Sequence, residues 1–240
     1  MTRVRGMCCP SLPIAAGRVK GNGAWPGIAG LLLLAAMSAP GAAELRGAYV
    51  GLGLGFVKYP DATGWVSNEI AARMTASVGS PITASATQDT YGMGAKLFGG
   101  YAINPNAAFE VGYHDLGETK ITVATAPVVT SWTYTVEGKA LSLSLVLSQE
   151  VAMRTTVFGK MGWYRAETRI NSRKTLGTDV VTSRESASNM GTIFGLGMSY
   201  VLSGTMNLRA EWENLFRVGD DIKTAKGDVN MVSVSVVHRF

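Results

Sequence analysis

Cysteine is missing after residue 9: the chain's two, Cys8 and Cys9, sit side by side near its start. The remaining positions therefore offer no disulfide, no thiolate nucleophile and no cysteine metal ligand. Histidine is almost as scarce, with His114 and His238 far apart, and loop carboxylates such as Asp220, Asp221 and Asp228 make poor candidates for a metal centre on their own. No metal and no cofactor are expected. Acidic residues are absent from the first 43 positions, where Arg3, Arg5, Arg18 and Lys20 precede a short apolar stretch, Ile28 to Ala39. No apolar run reaches the roughly 20 residues that a membrane-crossing helix needs.

A basic start, a short apolar core and the small residues Gly41-Ala42-Ala43 form the pattern of an export signal. Cleavage is expected between Ala43 and Glu44, which divides the chain into a leader, 1–43, and one domain, 44–240. The basic region is long, so a start downstream of Met1 stays open. Cys8 precedes the apolar core instead of following it, which argues against a lipoprotein. The leader takes four of the 22 basic residues and none of the 17 acidic ones, leaving 18 against 17. The sequence pI near 9.3 therefore belongs largely to the leader. A near-neutral mature chain without a Lys/Arg cluster gives no reason to expect nucleic acid as a partner.

What is present after Ala43 is alternation. In Lys139 to Ser148, Leu141, Leu143, Leu145 and Leu147 point one way while Ala140, Ser142 and Ser144 point the other, the two-residue period of a strand. Eight such strands are expected over residues 47–59, 91–103, 107–117, 138–148, 151–166, 189–202, 205–217 and 229–240. Every segment has an apolar face, and the chain holds no spare apolar layer to cover them all. Lipid is the expected cover, and a closed ring is the form in which strands meet it. The fold class is all-β, an eight-stranded antiparallel transmembrane β-barrel.

Connections alternate short and long. Asn104-Pro105-Asn106, Ser148-Gln149-Glu150 and Ser203-Gly204 read as tight periplasmic turns, and residues 60–90, 118–137, 167–188 and 218–228 as longer outside loops. Pro60, Pro81, Pro105 and Pro127 all fall between proposed strands, as a hydrogen-bonded ladder demands. Ile121 to Thr125 and Val129 to Val136 also alternate, so that pair of strands can continue to a turn at Ala126-Pro127. Ten strands remain open if the first loop hides a hairpin.

The same parity sorts the side chains. Lys96, Glu110, Lys160, Arg209 and Glu211 lie opposite the lipid-facing Leu97, Val111, Met161, Leu208 and Trp212, which puts them in the lumen. Eight strands leave an interior that side chains fill, so these charges are expected to pair and block a water path, with a gated narrow pore as the alternative. Tyr101, Phe109, Tyr113, Trp163, Tyr200, Trp212, Phe216 and Phe240 share the lipid-facing parity, several near strand ends where aromatic rings suit the membrane interface. Gly51, Gly53 and Gly55 do not have the spacing of a phosphate loop and read as thin lumenal wall.

Three stretches then carry a resemblance: Ala95-Lys-Leu-Phe-Gly-Gly-Tyr101 leading to Phe109-Glu-Val-Gly-Tyr-His-Asp-Leu-Gly117, Phe158-Gly-Lys-Met-Gly-Trp-Tyr-Arg165, and Asn207-Leu-Arg-Ala-Glu-Trp-Glu213 followed by Val218-Gly-Asp-Asp221. Together they resemble the OmpA-like transmembrane domain and the related opacity-type outer membrane barrels of Gram-negative bacteria. The resemblance implies a gating role for a lumenal carboxylate and arginine, which Glu110 and Arg209 match by strand and face. It also implies that Val232, Val234, Val236, His238 and Phe240 form the terminal signal read by the barrel assembly machinery, with His238 standing where an aromatic residue is usual. No peptidoglycan-binding domain follows the barrel, so cell-wall tethering is not expected.

The function expected is structural and surface-interacting: an outer membrane barrel with periplasmic termini that supports envelope integrity and displays loops for adhesion. A narrow gated porin is the first alternative. A lipid A-modifying enzyme is the second, but His114 has no serine nearby on its strand and His238 sits beside Arg239, so neither shows a nucleophile and base. Expected partners are outer membrane lipids and lipopolysaccharide, the assembly machinery and periplasmic chaperones during biogenesis, and a surface ligand at the loops.

Overall fold

The computed structural model describes residues 47–127, 130–176, 179–219 and 227–240; the leader and the Ala43/Glu44 junction lie outside the described residues. Strand β1 (Gly47–Lys58) is followed by helix α1 (Thr63–Val78), β2 (Thr83–Gln88), β3 (Tyr91–Asn104), β4 (Ala107–Ala126), β5 (Thr130–Ala152), β6 (Thr155–Leu176), β7 (Asp179–Val201), β8 (Met206–Val218) and β9 (Gly227–Arg239). All pairings are antiparallel. β1 pairs with both β3 and β9, and the β4–β5 pairing closes β4-β3-β1-β9-β8-β7-β6-β5 into a ring of eight. The ends meet where the Phe240 amide donates to the Ala48 carbonyl at 3.0 Å.

Closure follows from alternation. The outward positions Leu52, Leu54, Phe56, Leu141, Leu143, Val232, Val234 and Val236 are all exposed, and the positions between them are buried. The inner wall is close-packed. A Cβ at Gly51 would sit 2.2 Å from the Phe98 ring, and one at Gly53 2.1 Å from the Ser235 hydroxyl, so glycine on β1 makes room for neighbouring side chains.

Strand lengths differ from the sequence expectation. Residues 118–137 and 167–188, expected as loops, are largely strand: the β4–β5 hairpin runs up to Ala126 and Thr130, and the β6–β7 hairpin to Leu176 and Asp179. Each hairpin continues on the order of 30 Å along the strand past the apolar band, at about 3.3 Å per residue. The β4–β5 extension is the continuation to a turn at Ala126-Pro127 that the alternation of Ile121 to Thr125 and Val129 to Val136 left open, whereas polar residues occupy most of the β6–β7 extension, which hid it in a search for apolar alternation. The turn expected at Ser148-Gln149-Glu150 is corrected as well. Those residues belong to β5, and the chain reverses at Met153-Arg154, with Arg154 at φ 70°.

The first connection is neither a plain loop nor an extra ring hairpin. It holds α1 and β2, and β2 pairs with β4 over Ile121–Ala126, above the level where β3 pairs with the same strand. A bulge between Asp115 and Gly117 separates the two zones. Gly117 sits at φ +75°, and a Cβ there would lie 2.1 Å from the Met93 carbonyl oxygen, so the bulge requires glycine. Ile70 of α1 is buried with Ile121 and Val123 of β4, flanked by Trp132 and Tyr134 of β5. The ring count stays at eight, with a ninth strand outside it.

Candidate functional site: a filled lumen and a lipid-facing wall

Each lumenal charge comes from an inward position of a ring strand: Lys96 from β3, Glu110 and His114 from β4, Lys160 from β6, and Arg209, Glu211 and Glu213 from β8. Lys96 is 1% exposed and Lys160 2%. Arg209 donates to Glu110 at 2.7 Å and to Glu211 at 3.0 Å. Lys160 lies 3.0 Å from Glu110, 3.0 Å from Glu211 and 2.5 Å from Glu213. Lys96 bonds Glu211 and also donates to Glu213 at 2.8 Å. The Tyr49 hydroxyl donates to Glu110 at 3.1 Å.

The structure thus brings all five sequence-derived lumenal charges into one cluster and adds Glu213. Without Glu213 the set has three cations and two carboxylates; with it the cluster is electroneutral, as ions withdrawn from water must nearly be. Its parity with Arg209 and Glu211 was the available signal. Phe98 and Phe158 carry the same signal, sharing the inward parity of Lys96 and Lys160: the Arg209 guanidinium carbon lies 4.0 Å from the Phe158 ring centroid and 4.8 Å from that of Phe98, within cation–π range.

Above the charged layer, toward the long hairpins, Val57, Leu116, Tyr164, Ile193, Leu215 and Met231 form a buried apolar layer. Below it, Ala108, Val146 and Phe158 form a smaller one. The sequence reading anticipated paired charges but not this second seal.

His114 gains a partner from another strand. Its Nε2 lies 2.9 Å from the Ser142 hydroxyl of β5, and its Nδ1 4.0 Å from Glu213. This corrects the statement that His114 shows no nucleophile-like neighbour, because the β4–β5 register supplies the serine. Both are buried, and Glu213 is already engaged by two lysines, so an acyl substrate has no route to the hydroxyl. The contact reads as packing.

On the outside, Tyr101, Phe109, Tyr113, Trp163, Tyr200, Trp212, Phe216 and Phe240 are all exposed, as their parity predicted. At the chain end, Val232, Val234, Val236 and His238 face outward in line with Phe240. The His238 and Phe240 rings meet edge to face at 4.9 Å between centroids.

Residues 44–240 match the family described as OmpA-like transmembrane domain. Outer membrane protein A of Escherichia coli O157:H7 is 27% identical over 196 residues, covering 80% of this chain and 47% of that protein. The Salmonella typhi protein of the same name is 26% identical over 195 residues, covering 80% and 48%. The chain spans about half the length of these curated relatives. Among solved structures, the N-terminal β-barrel domain of Pseudomonas aeruginosa OprF aligns at TM-score 0.45 and 11% identity, over 81% of this chain and 98% of that one. Neisserial surface protein A aligns at TM-score 0.41 and 15% identity, over 80% and 97%.

Proposed function

Since this chain belongs to the OmpA-like transmembrane domain family and is an outer membrane β-barrel, we propose that it is a structural barrel whose long-hairpin end is a contact surface on the cell exterior. The termini and short turns then face the periplasm. The observation that carries the reading is the contrast between the two parts of the molecule. The lumen is filled by three mutually paired cations and carboxylates beneath an apolar layer, whereas the strands outside the apolar band are extended and supported by a packed helix. A solute channel needs the opposite allocation.

The terminal strand, with Val232, Val234, Val236, His238 and Phe240 in one outward row, supports a role as the signal for the barrel assembly machinery, reached with the help of periplasmic chaperones. The leader is proposed to end at Ala43, giving Glu44 as the mature first residue.

A deletion strain complemented with the intact chain, or with one whose β6–β7 hairpin is cut from Arg169 to Arg184 and closed by a two-residue turn, separates the two roles. Both are expected to restore detergent resistance, and the intact chain alone to restore attachment of cells to surfaces. Discrete conductance from the purified barrel in planar bilayers, or full attachment by the trimmed form, overturns the reading.

A further inference from the structure

The β6–β7 hairpin carries a long strand edge on its β7 side. In the membrane β7 lies between β6 and β8, but its pairing with β8 begins at Ile193, whereas its pairing with β6 runs out to Asp179 without a bulge. Across that side the Asn189 side chain still reaches the end of β8, donating to the Arg217 carbonyl at 2.7 Å and accepting from the Gly219 amide at 3.3 Å. Among the described residues, no strand pairs with this side of β7 farther out.

The hydrogen-bond pattern decides which backbone groups face that side. The Val201 amide donates to the Arg154 carbonyl of the β6 side and the Leu202 amide to the Met206 carbonyl of β8, each at 2.9 Å. Odd-numbered residues of β7 therefore bond β6 and even-numbered ones bond β8, an alternation that an unbroken antiparallel ladder preserves. Beyond Asn189 the amides and carbonyls of Ser188, Ser186, Arg184, Thr182 and Val180 point to the open side. No proline or bulge blunts this edge. The Arg184 guanidinium is drawn back onto β6, where it donates to Asn171 at 2.8 Å.

Another strand completes an edge of this kind. β7 rises away from the membrane, so copies side by side in one membrane present it parallel. A copy on a facing membrane presents it antiparallel, the pairing that β7 already makes with β6 and β8. A two-fold axis lying in the plane of the membranes then pairs even-numbered residues with even-numbered ones, which brings the open amides and carbonyls of both copies together. Centring the axis on Arg184 or on Glu185 sets like charges directly opposite, which is destabilising. Centring it on Ser183 sets Arg184 against Thr182 and Glu185 against Val181, and still pairs Val180 with Ser186.

We propose that the partner of this edge is a second copy of the chain on a facing outer membrane, joined through a symmetric antiparallel β7–β7 contact centred on Ser183. The proposal rests on the reading that the long hairpins are a contact surface on the cell exterior, and it names what they contact. One strand from each copy makes a small and weak interface, which many copies on two apposed surfaces strengthen. Ser183 stands beyond Met190 by at most about 23 Å of strand, so the joined bilayers lie within roughly 46 Å of each other.

Disulfide trapping between separately assembled phosphatidylcholine nanodiscs tests it, because no cysteine follows Cys9 and a nanodisc leaves both ends of the barrel accessible. Two batches of discs holding the 44–240 barrel with Ser183→Cys, each with its own affinity tag, are mixed, oxidised and purified through both tags in turn. Ser183 meets its symmetry mate in a pair without hydrogen bonds, whose Cα atoms stand about 4.5 Å apart, within disulfide reach. Ser183→Cys is therefore expected to cross-link between discs, Val181→Cys to cross-link with Glu185→Cys, and Ser188→Cys not to cross-link with itself. Thr182→Pro removes an amide that β6 does not use, and the two-fold axis removes it from both copies. Trapping of Ser183→Cys should then slow about thirtyfold, at roughly fivefold per net hydrogen bond, with Thr182→Val unchanged. Heat-modifiable mobility verifies that each variant is folded, and if Thr182→Pro does not fold, the cysteine register carries the test. No cross-link at Ser183→Cys, an equal yield at Ser188→Cys, or undiminished trapping in folded Thr182→Pro overturns the proposal. A barrel inverted in cells would show in surface labelling of cells and leave the nanodisc result untouched.

Discussion

Arg209 and Glu110 meet at 2.7 Å across the full width of the barrel, from strands β8 and β4, which are four steps apart in a ring of eight. A contact that bridges opposite walls closes the lumen and ties the ring together. Removing Glu110 leaves Arg209 and Lys160 buried with a charge surplus, so Glu110→Ala is expected to cost about 3 to 5 kcal/mol. Arg209→Ala with Glu110→Ala restores neutrality, and its cost should fall well short of the sum of the singles. Urea titration in lipid vesicles measures all three, and additive losses would dissolve the coupling.

The apolar layer is a second seal. Glu110→Ala alone should therefore leave the barrel silent in planar bilayers, and current should require polar replacement in both layers, for instance Glu110→Ala with Leu116→Ser. Discrete steps from Glu110→Ala by itself would assign closure to the charged layer and favour the gating role that the family resemblance implies.

Leu143 is 54% exposed on the lipid face while its neighbour Ser144 is buried in the lumen. Leu143→Arg near the bilayer midplane should cost about 2 to 4 kcal/mol. Ser144→Arg should fail differently, by overfilling the lumen beside Gly162, where a Cβ would already lie 2.6 Å from the Ser144 backbone. Folding yields compared across bilayers of increasing thickness separate the two, because lipid exposure matters to the first variant alone. An identical thickness dependence would count against the assigned faces.

Phe240 is 79% exposed at the end of the closing strand. Its deletion should leave the chain in the periplasm, since the backbone bond to Ala48 and the outward ring are lost together. Fractionation and immunoblotting check this, and undiminished outer membrane levels would remove the assembly role.

Insertion of an epitope after Gly79, which caps α1 with open space around it, should be labelled on intact cells, and one at Asn106 should not. The reverse pattern would invert the barrel.

Much of this protein was legible in its residue order, because a strand's side chains alternate through local backbone geometry. Leu143 against Ser144, Trp163 against Lys160, and the outward row ending in Phe240 needed no knowledge of neighbours. Proline avoidance was equally local. What lies beyond the reach of alternation depends on partners. Helix α1 reads as loop because its apolar side is narrow, with Ile70 its one buried residue, and it is held by β4 and β5 rather than by its own periodicity. The polar β6–β7 extension is strand because its two strands pair with each other, not because it has an oil-soluble face.

The lumenal charges divide the same way. That Lys96, Glu110, Lys160, Arg209 and Glu211 face inward follows from sequence parity. That Lys96 reaches Glu211 and Glu213 and that Arg209 crosses to Glu110 follows only from the stagger with which the ring closes, and that Ser142 meets His114 follows from the β4–β5 register. Stagger sets the relative height of residues on strands far apart in the chain. A single sequence carries the face of each side chain, and the tertiary structure alone decides which faces meet.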